Sequence, residues 1–214
     1  MAGDGGTLFH YVGGQWTSVT NPESGTANAL SAVYGTSTSD VWVVGDAGVV
    51  LHYDGSTWKL ASAGIGAALA VSGVWAASAT NVWVVADAGH ASQYNGTNWT
   101  AATTGTANDL AAVWGSGPSD VWVSGAAATL LHYTGTWATT PLPIAVDLAG
   151  VRGTAANDVW LVADGGNVSH FNGTVWSPTQ SGTTIALSDV WPVPGGSSSD
   201  VWVVGDMGTI LRHR

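Results

Sequence analysis

Cysteine is absent from the 214 residues, so neither a disulfide nor a thiolate metal site can staple the chain. Charge is scarce as well. Only 8% of the residues are charged, four Lys and Arg stand against 14 Asp and Glu, and the formal net charge is -10. A phosphate backbone or an anionic lipid surface would be repelled, so nucleic acid is not expected as a partner. Apolar runs end after about five residues where about 20 are needed to cross a bilayer, so no membrane insertion is expected. The opening Met1-Ala2-Gly3-Asp4-Gly5-Gly6 lacks the basic start and apolar stretch of a signal peptide. Glutamate is reduced to Glu23. What remains is apolar and punctuated: 45% hydrophobic residues, 30 Gly and 13 Trp. Such a chain folds through packing, and its length suits one domain over residues 1–214.

A repeat organises it. Asp40-Val-Trp-Val-Val-Gly-Asp46 returns as Asn81 to Asp87, Asp120 to Ala126, Asp158 to Asp164 and Asp200 to Asp206, at spacings of 41, 39, 38 and 42 residues. A second motif follows four of these: Leu51-His-Tyr-Asp-Gly-Ser-Thr-Trp58, Ser92 to Trp99, Leu131 to Trp137 and Ser169 to Trp176. Phe9 to Trp16 is a further copy. Each period divides into four short runs rich in Val, Trp, Tyr and Thr, separated by Gly, Asn and Asp, which is a strand and hairpin signature. The first runs are 30–34, 71–75, 110–114, 148–152 and 187–191. Asp54-Gly55, Asn95-Gly96 and Asn172-Gly173 suit tight hairpin turns with positive φ.

Four antiparallel strands every 40 or so residues describe a propeller blade, which is apolar on both faces and must stack on its neighbours. Along the second strand Val41 and Val43 point one way, Trp42 and Val44 the other. The expected fold is all-β, a five-bladed β-propeller of four-stranded antiparallel blades. The blades lie at about 30–60, 70–101, 110–139, 148–178 and 187–214, by the repeat rule. Third-strand copies occur six times, because Gly6–Tyr11 and Gly208–His213 occupy the same repeat position. The expectation is that residues 6–20 join the C-terminal blade and close the ring, with the N-terminal copy favoured as its third strand. A monomer is expected, able to exchange strands through the redundant termini.

The Asp-Val-Trp-Val-Val-Gly-Asp and Leu-His-Tyr-Asp-Gly-Ser-Thr-Trp repeats resemble those of bacterial, myxobacterial-type β-propeller proteins, and the likeness covers essentially the whole chain. That resemblance implies a secreted or extracellular setting. In blade number the chain is similar to the tachylectin-like lectins, a likeness of architecture alone.

Glycoside hydrolysis needs two differently tuned carboxylates. Here the Asp residues follow the repeat, so no enzyme is expected, and no catalytic residue, cofactor or metal ligand is assigned. Asp40, Asn81, Asp120, Asp158 and Asp200 precede the second strand and read as Asx-type turns accepting backbone N–H groups. Asp46, Asp87, Asp164 and Asp206, with Asp4, lie in the turn between second and third strands. His10, His52, His132 and His170 share one third-strand position with Gln93 and Arg212, reading as a buried donor to neighbouring backbone. Tyr34, Trp75, Trp114 and Trp191 end the first strand and read as packing between blades, or as shelves for sugar rings, while Arg152 breaks that pattern.

The loops joining one blade to the next, 21–28, 61–68, 103–109, 139–147 and 177–186, vary most and share a face with the Asp46-type turns. Function is usually carried on such loops. The candidate ligand-binding residues are therefore Asp46, Asp87, Asp164, Asp206 and Arg152. The leading expectation is a non-catalytic recognition module for a glycan or a protein. The alternatives are a structural spacer, or an engineered or excised propeller with no ligand of its own.

Overall fold

The structure is a computed structural model that describes residues 1–19, 28–195 and 200–213. Among the described residues every strand pairs with a sequence neighbour, antiparallel, in six sheets. The first holds β1 (Ala2–Gly3), β2 (Thr7–Val12) and β3 (Gln15–Ser18). The second holds β4 (Leu30–Ser37), β5 (Asp40–Gly45), β6 (Val50–Tyr53) and β7 (Trp58–Leu60). The third holds β8 (Val71–Ser78), β9 (Asn81–Ala86), β10 (Ala91–Tyr94) and β11 (Trp99–Ala102). The fourth holds β12 (Leu110–Gly117), β13 (Asp120–Gly125), β14 (Thr129–Tyr133) and β15 (Trp137–Thr139). The fifth holds β16 (Leu148–Ala155), β17 (Asp158–Ala163), β18 (Asn167–Phe171) and β19 (Trp176–Thr179). The sixth holds β20 (Leu187–Pro192), β21 (Val201–Gly205) and β22 (Thr209–His213).

The fold is thus a β-propeller of antiparallel blades, and the described residues form six blades and not the expected five, four of them four-stranded and the first and last three-stranded. The difference lies at the termini. β2 pairs with β1 and β3, forming a separate three-stranded blade instead of joining the last one. The third place in the last blade belongs to β22, with Val201 opposite His213 and Val203 opposite Leu211. Locality explains this outcome. The β21–β22 hairpin closes through a three-residue turn, which costs less chain entropy than recruiting a strand from the opposite end of the sequence. The chain divides into two compact units of three blades each, Met1–Thr103 and Thr104–Arg214.

Within a unit the second strand is the core. Val43 packs with Leu8, Leu30, Val49 and Leu51, towards the first blade. Trp42 and Val44 pack with Val71, Val74, Val82 and Val84 of the third blade. This is the alternation the sequence implied, because successive side chains of a strand point to opposite faces. Burying a Trp removes about 150–250 Å² from water, at most about 4–6 kcal/mol. The first strands run three residues past their expected ends in the second to fifth blades, through irregularities such as that between Gly35 and Ser37. They read as shorter because Gly, Ser and Thr there look like turn residues.

At the other end of each blade, Asp54, Asn95 and Asn172 accept backbone N–H bonds from the residues two and three positions on. The following glycines have φ near +90°, and a Cβ on Gly96 would stand 2.7 Å from the Thr80 side chain. Lys59 hydrogen-bonds the Asp54 carboxylate, and with the Thr57 and Ser56 N–H groups it holds that carboxyl below its usual range.

These terminal pairings have a testable consequence. Removing residues 208–214 strips β22 from β21 and leaves an unpaired edge, while removing residues 1–19 uncovers Leu30, Val43 and Leu51. Each deletion is expected to cost about 3 kcal/mol or more in urea unfolding. A C-terminal deletion as stable as the full chain would contradict the assignment of β22.

Candidate binding face

Asp40, Asp120 and Asp158, before the second strand, accept from side chains and not from backbone N–H groups as Asx turns would. In the second blade Asp40 Oδ1 accepts from His52 Nε2 at 2.7 Å and Trp42 Nε1 at 3.1 Å, and Oδ2 accepts from the Thr36 hydroxyl. The fifth blade repeats this with Asp158, His170 at 2.8 Å, Trp160 at 3.1 Å and Thr154. The fourth uses Asp120, His132 and Ser116. The imidazole also lies on the indole, with centroids 3.9 Å apart for Trp42–His52 and 3.7 Å for Trp122–His132. His52, His132 and His170, half-buried, therefore donate to a carboxylate and not to neighbouring backbone, whereas His10 is exposed. A carboxylate with several donors is satisfied where a neutral acceptor would gain less. The hydroxyl donates to the carboxylate, not to the imidazole, so the trio lacks the nucleophile–base contact of a hydrolase.

Sequence reasoning missed this network, although its signal is present. In the third blade the three positions change together, to Ala77, Asn81 and Gln93. In the sixth, Arg212 replaces the His and holds Asp200 through Nε at 2.8 Å and Nη2 at 3.0 Å, a bond that raises the guanidinium pKa.

The Asp46-type positions do occupy the turn between second and third strands. Both central residues have positive φ, as in Ala47 (58°) and Gly48 (71°), a geometry whose twist matches the strands it joins. The Asp46 carbonyl accepts the Val49 N–H at 3.2 Å, and the Asp46 N–H reaches Ala29 O at 2.9 Å. Asp164 and Asp206 sit the same way on Asp147 O and Ala186 O. Asp46, Asp164 and Asp206 are exposed, whereas Asp87 is half-buried and its Oδ2 accepts the Ala70 N–H at 3.2 Å. Where the fourth blade has Ala126, the carboxylate comes from Asp147, which accepts the Ala127 N–H at 2.8 Å.

These turns are tied to the loops between blades. Gly48 N–H donates to Leu69 O at 2.8 Å and Ala128 N–H to Val146 O at 3.0 Å. In the second unit the Ser181 hydroxyl donates to Gly166 O at 2.7 Å, and a Cβ on Gly166 would collide with the Thr183 carbonyl. Between turn 165–168 and loop 178–185 lies a groove of about 670 Å³, lined by Asn167, Gln180, Ser181 and Thr184 among others and by no charged side chain.

Arg152 does not join the Asp turns. It stands opposite Trp160 within β16, with its guanidinium 4.3 Å above the Trp191 ring of the next blade. Tyr34 meets Trp75 at 6.5 Å, and Trp75 and Trp114 are buried. Tyr34, Trp75 and Trp114 therefore serve packing between blades, and the buried pair offers no shelf to a sugar, while Trp191 stays exposed. Glu23 and nearly all of the 21–28 loop lie outside the described residues. Among the described residues no three His, Asp or Glu side chains converge as a metal site would need.

No family model matches the chain, and no curated protein matches its sequence. Its likeness is to solved structures and is one of fold. The structure of YCF48 bound to D1 peptide gives a TM-score of 0.68 at 13% identity, covering 90% of this chain and 64% of that one. This chain thus spans less than two thirds of that protein. YCF48 from Cyanidioschyzon merolae gives 0.71 at 14% identity, covering 97% and 76%. The GH74 enzyme of Niastella koreensis gives 0.61 at 17% identity, covering 98% and 34%.

Two predictions follow from the turns and the network. Ala127 and Ala128 both adopt left-handed φ, 52° and 57°, so Ala128→Gly is expected to raise stability by about 0.5–1 kcal/mol in a thermal melt. Asn81→Asp alone is expected to cost about 1–3 kcal/mol, and Ala77→Thr with Gln93→His should recover it by rebuilding the network. Urea unfolding of the single and triple variants checks this, and an additive loss in the triple would contradict the coupling.

Proposed function

We propose that the chain is a non-catalytic recognition module that binds a segment of another protein on the loop-bearing face. The observation that carries this reading is the groove between turn 165–168 and loop 178–185. Its walls are hydroxyls, amides and backbone held in place by the Ser181–Gly166 and Thr183–Ser181 hydrogen bonds. Uncharged donors and acceptors on a rigid frame match the amides of an extended peptide, and holding them fixed in advance lowers the entropy lost on binding. The lining holds no carboxylate that could act as acid or base, and elsewhere most of the described Asp residues recur at equivalent positions, which supports a non-catalytic role.

The neighbour YCF48 was solved with a peptide, which supports a protein segment as ligand. A glycan is the second reading, favoured by the same hydroxyl-rich lining. The resemblance of the repeats to myxobacterial-type propellers supports an extracellular setting for either.

The test is a selection of displayed peptides and an array of glycans on the intact chain, followed by Thr184→Arg, which fills the groove from an exposed position. Affinity for the selected ligand should fall at least about tenfold. Thr174→Arg, at the opposite end of the same blade, should leave it unchanged. Ligands insensitive to Thr184→Arg would move the site elsewhere.

A further inference from the structure

A second cleft lies in the first unit, away from the loop groove. It measures about 420 Å³ and is lined by His10 of β2, Val33 and Val41 of the second blade, and the Tyr53 and Trp58 rings, with Leu8 and Phe9 at its base. Volumes of this size are typical of ligand sites.

The chain itself shows what such walls hold. At the boundary of the second and third blades, the Trp42 indole stacks on His52 and meets the Tyr94 and Trp99 rings at 5.5 Å each. In the second unit Trp122 stacks on His132 and meets Phe171 at 5.2 Å and Trp176 at 5.3 Å, edge-on to the latter. The receiving rings are set in advance. Tyr53 and Trp58 lie 5.3 Å apart at 35°, as Tyr94 and Trp99 lie 5.2 Å apart at 36° around their indole. His10 stands at the repeat position of His52 and His132.

The backbone beside the cleft points the same way. β1 covers β2 at Leu8 and Thr7, and Met1 exchanges two 2.9 Å bonds with Phe9. His10, Tyr11 and Val12 are exposed and pair with β3 on their other side, with no described strand opposite. In the second blade the positions facing the equivalent residues are Trp42, opposite His52, and Val41, opposite Tyr53. Asp40, two residues before that Trp, accepts the His52 proton.

We infer that this cleft is a docking site for an extended segment of a partner polypeptide bearing Asp-x-Trp. The segment adds to the edge of β2 at His10–Val12. Its indole stacks on His10 and enters between Tyr53 and Trp58, and its Asp accepts from the His10 imidazole. Strand addition supplies affinity through main-chain bonds, and the pocket supplies selectivity through the side chain. Because Met1 stands opposite Phe9, the segment ends or turns away after the Trp.

The probe is a dye-labelled Ser-Asp-Val-Trp-amide peptide titrated into the full chain by fluorescence anisotropy. Saturable binding is expected, weakened at least about tenfold by Trp→Ala in the peptide. Asp→Asn in the peptide and His10→Ala in the protein should each weaken binding several-fold and, combined, no further, as coupled partners do. Val33→Arg, which fills the cleft, should abolish binding, and a thermal melt of each protein variant confirms that it folds. Thr184→Arg should change nothing, which separates this site from the loop groove. Absence of saturable binding at millimolar peptide, or indifference to Trp→Ala or to Val33→Arg, would overturn the inference. So would a concentration-dependent dimer that the peptide fails to dissociate, since a second copy would then own the cleft.

Discussion

One contact organises the blades: the second-strand indole of one blade, inserted against the third-strand ring and fourth-strand Trp of the next. Trp42 and Trp122 make it in the two units, and Trp160 reaches His213 in the last blade. A blade is apolar on both faces and cannot shed water alone, so a large flat side chain shared by two blades binds them more effectively than aliphatic contacts of equal number. The Asp–His–hydroxyl network makes that insertion specific. Around Trp42 it fixes the indole edge through Nε1 and its face through the imidazole, leaving the Trp one orientation, and the polar cost of burying the Asp40 carboxylate is offset by three donors.

The same dependence explains why the network varies as a unit. A lone Asp beside Gln93 would be a half-buried carboxylate without its imidazole partner, so Asn81 accompanies Gln93 and Ala77 in the third blade. In the sixth blade the charge stays, and Arg212 supplies a two-pronged partner while lying 5.1 Å over Trp202. A guanidinium and an imidazole both stack on an indole and both donate, which is why Arg fits a position otherwise held by His.

Much of this was legible in the sequence because it is local or periodic. Val41 to Val44 alternate within one strand, Asp54-Gly55 makes its own turn, and Asp46-Ala47-Gly48 closes a hairpin within four residues. Blade number was not legible, because Gly6–Tyr11 and Gly208–His213 carry the same repeat signature and a strand signature does not name its partner. The network was missed because Thr36, Asp40 and His52 lie four and twelve residues apart across a turn and a hairpin, while each alone has an adequate local reading. Of the candidate site residues, the Asp turns could be placed from Asp-x-Gly. The handover from Ala126 to Asp147 depends on a contact 20 residues apart, which no single-repeat pattern contains.

Packing uses one part of the repeat and leaves another accessible, and the recognition role proposed above rests on this division. Most positions that recur, such as Trp75, Trp114 and the indoles Trp42, Trp83, Trp122 and Trp160, are buried and have no surface left for a ligand, whereas Trp202 of the last blade is exposed. Even the exception Arg152 is absorbed, stacked on Trp191. What stays accessible is the sequence that does not recur, the loops between blades fastened by Gly48–Leu69 and Ser181–Gly166 bonds, together with one recurring strand, β2, whose edge lies open beside the Tyr53–Trp58 rings. Fastened loops cost little entropy to dock against, and an uncharged groove in a chain of net charge -10 desolvates no ion when filled. In the recognition role proposed above, the exposed Asp164 and Asp206 of the same unit act at range, favouring the approach of basic partners while the groove itself reads backbone and hydroxyl geometry.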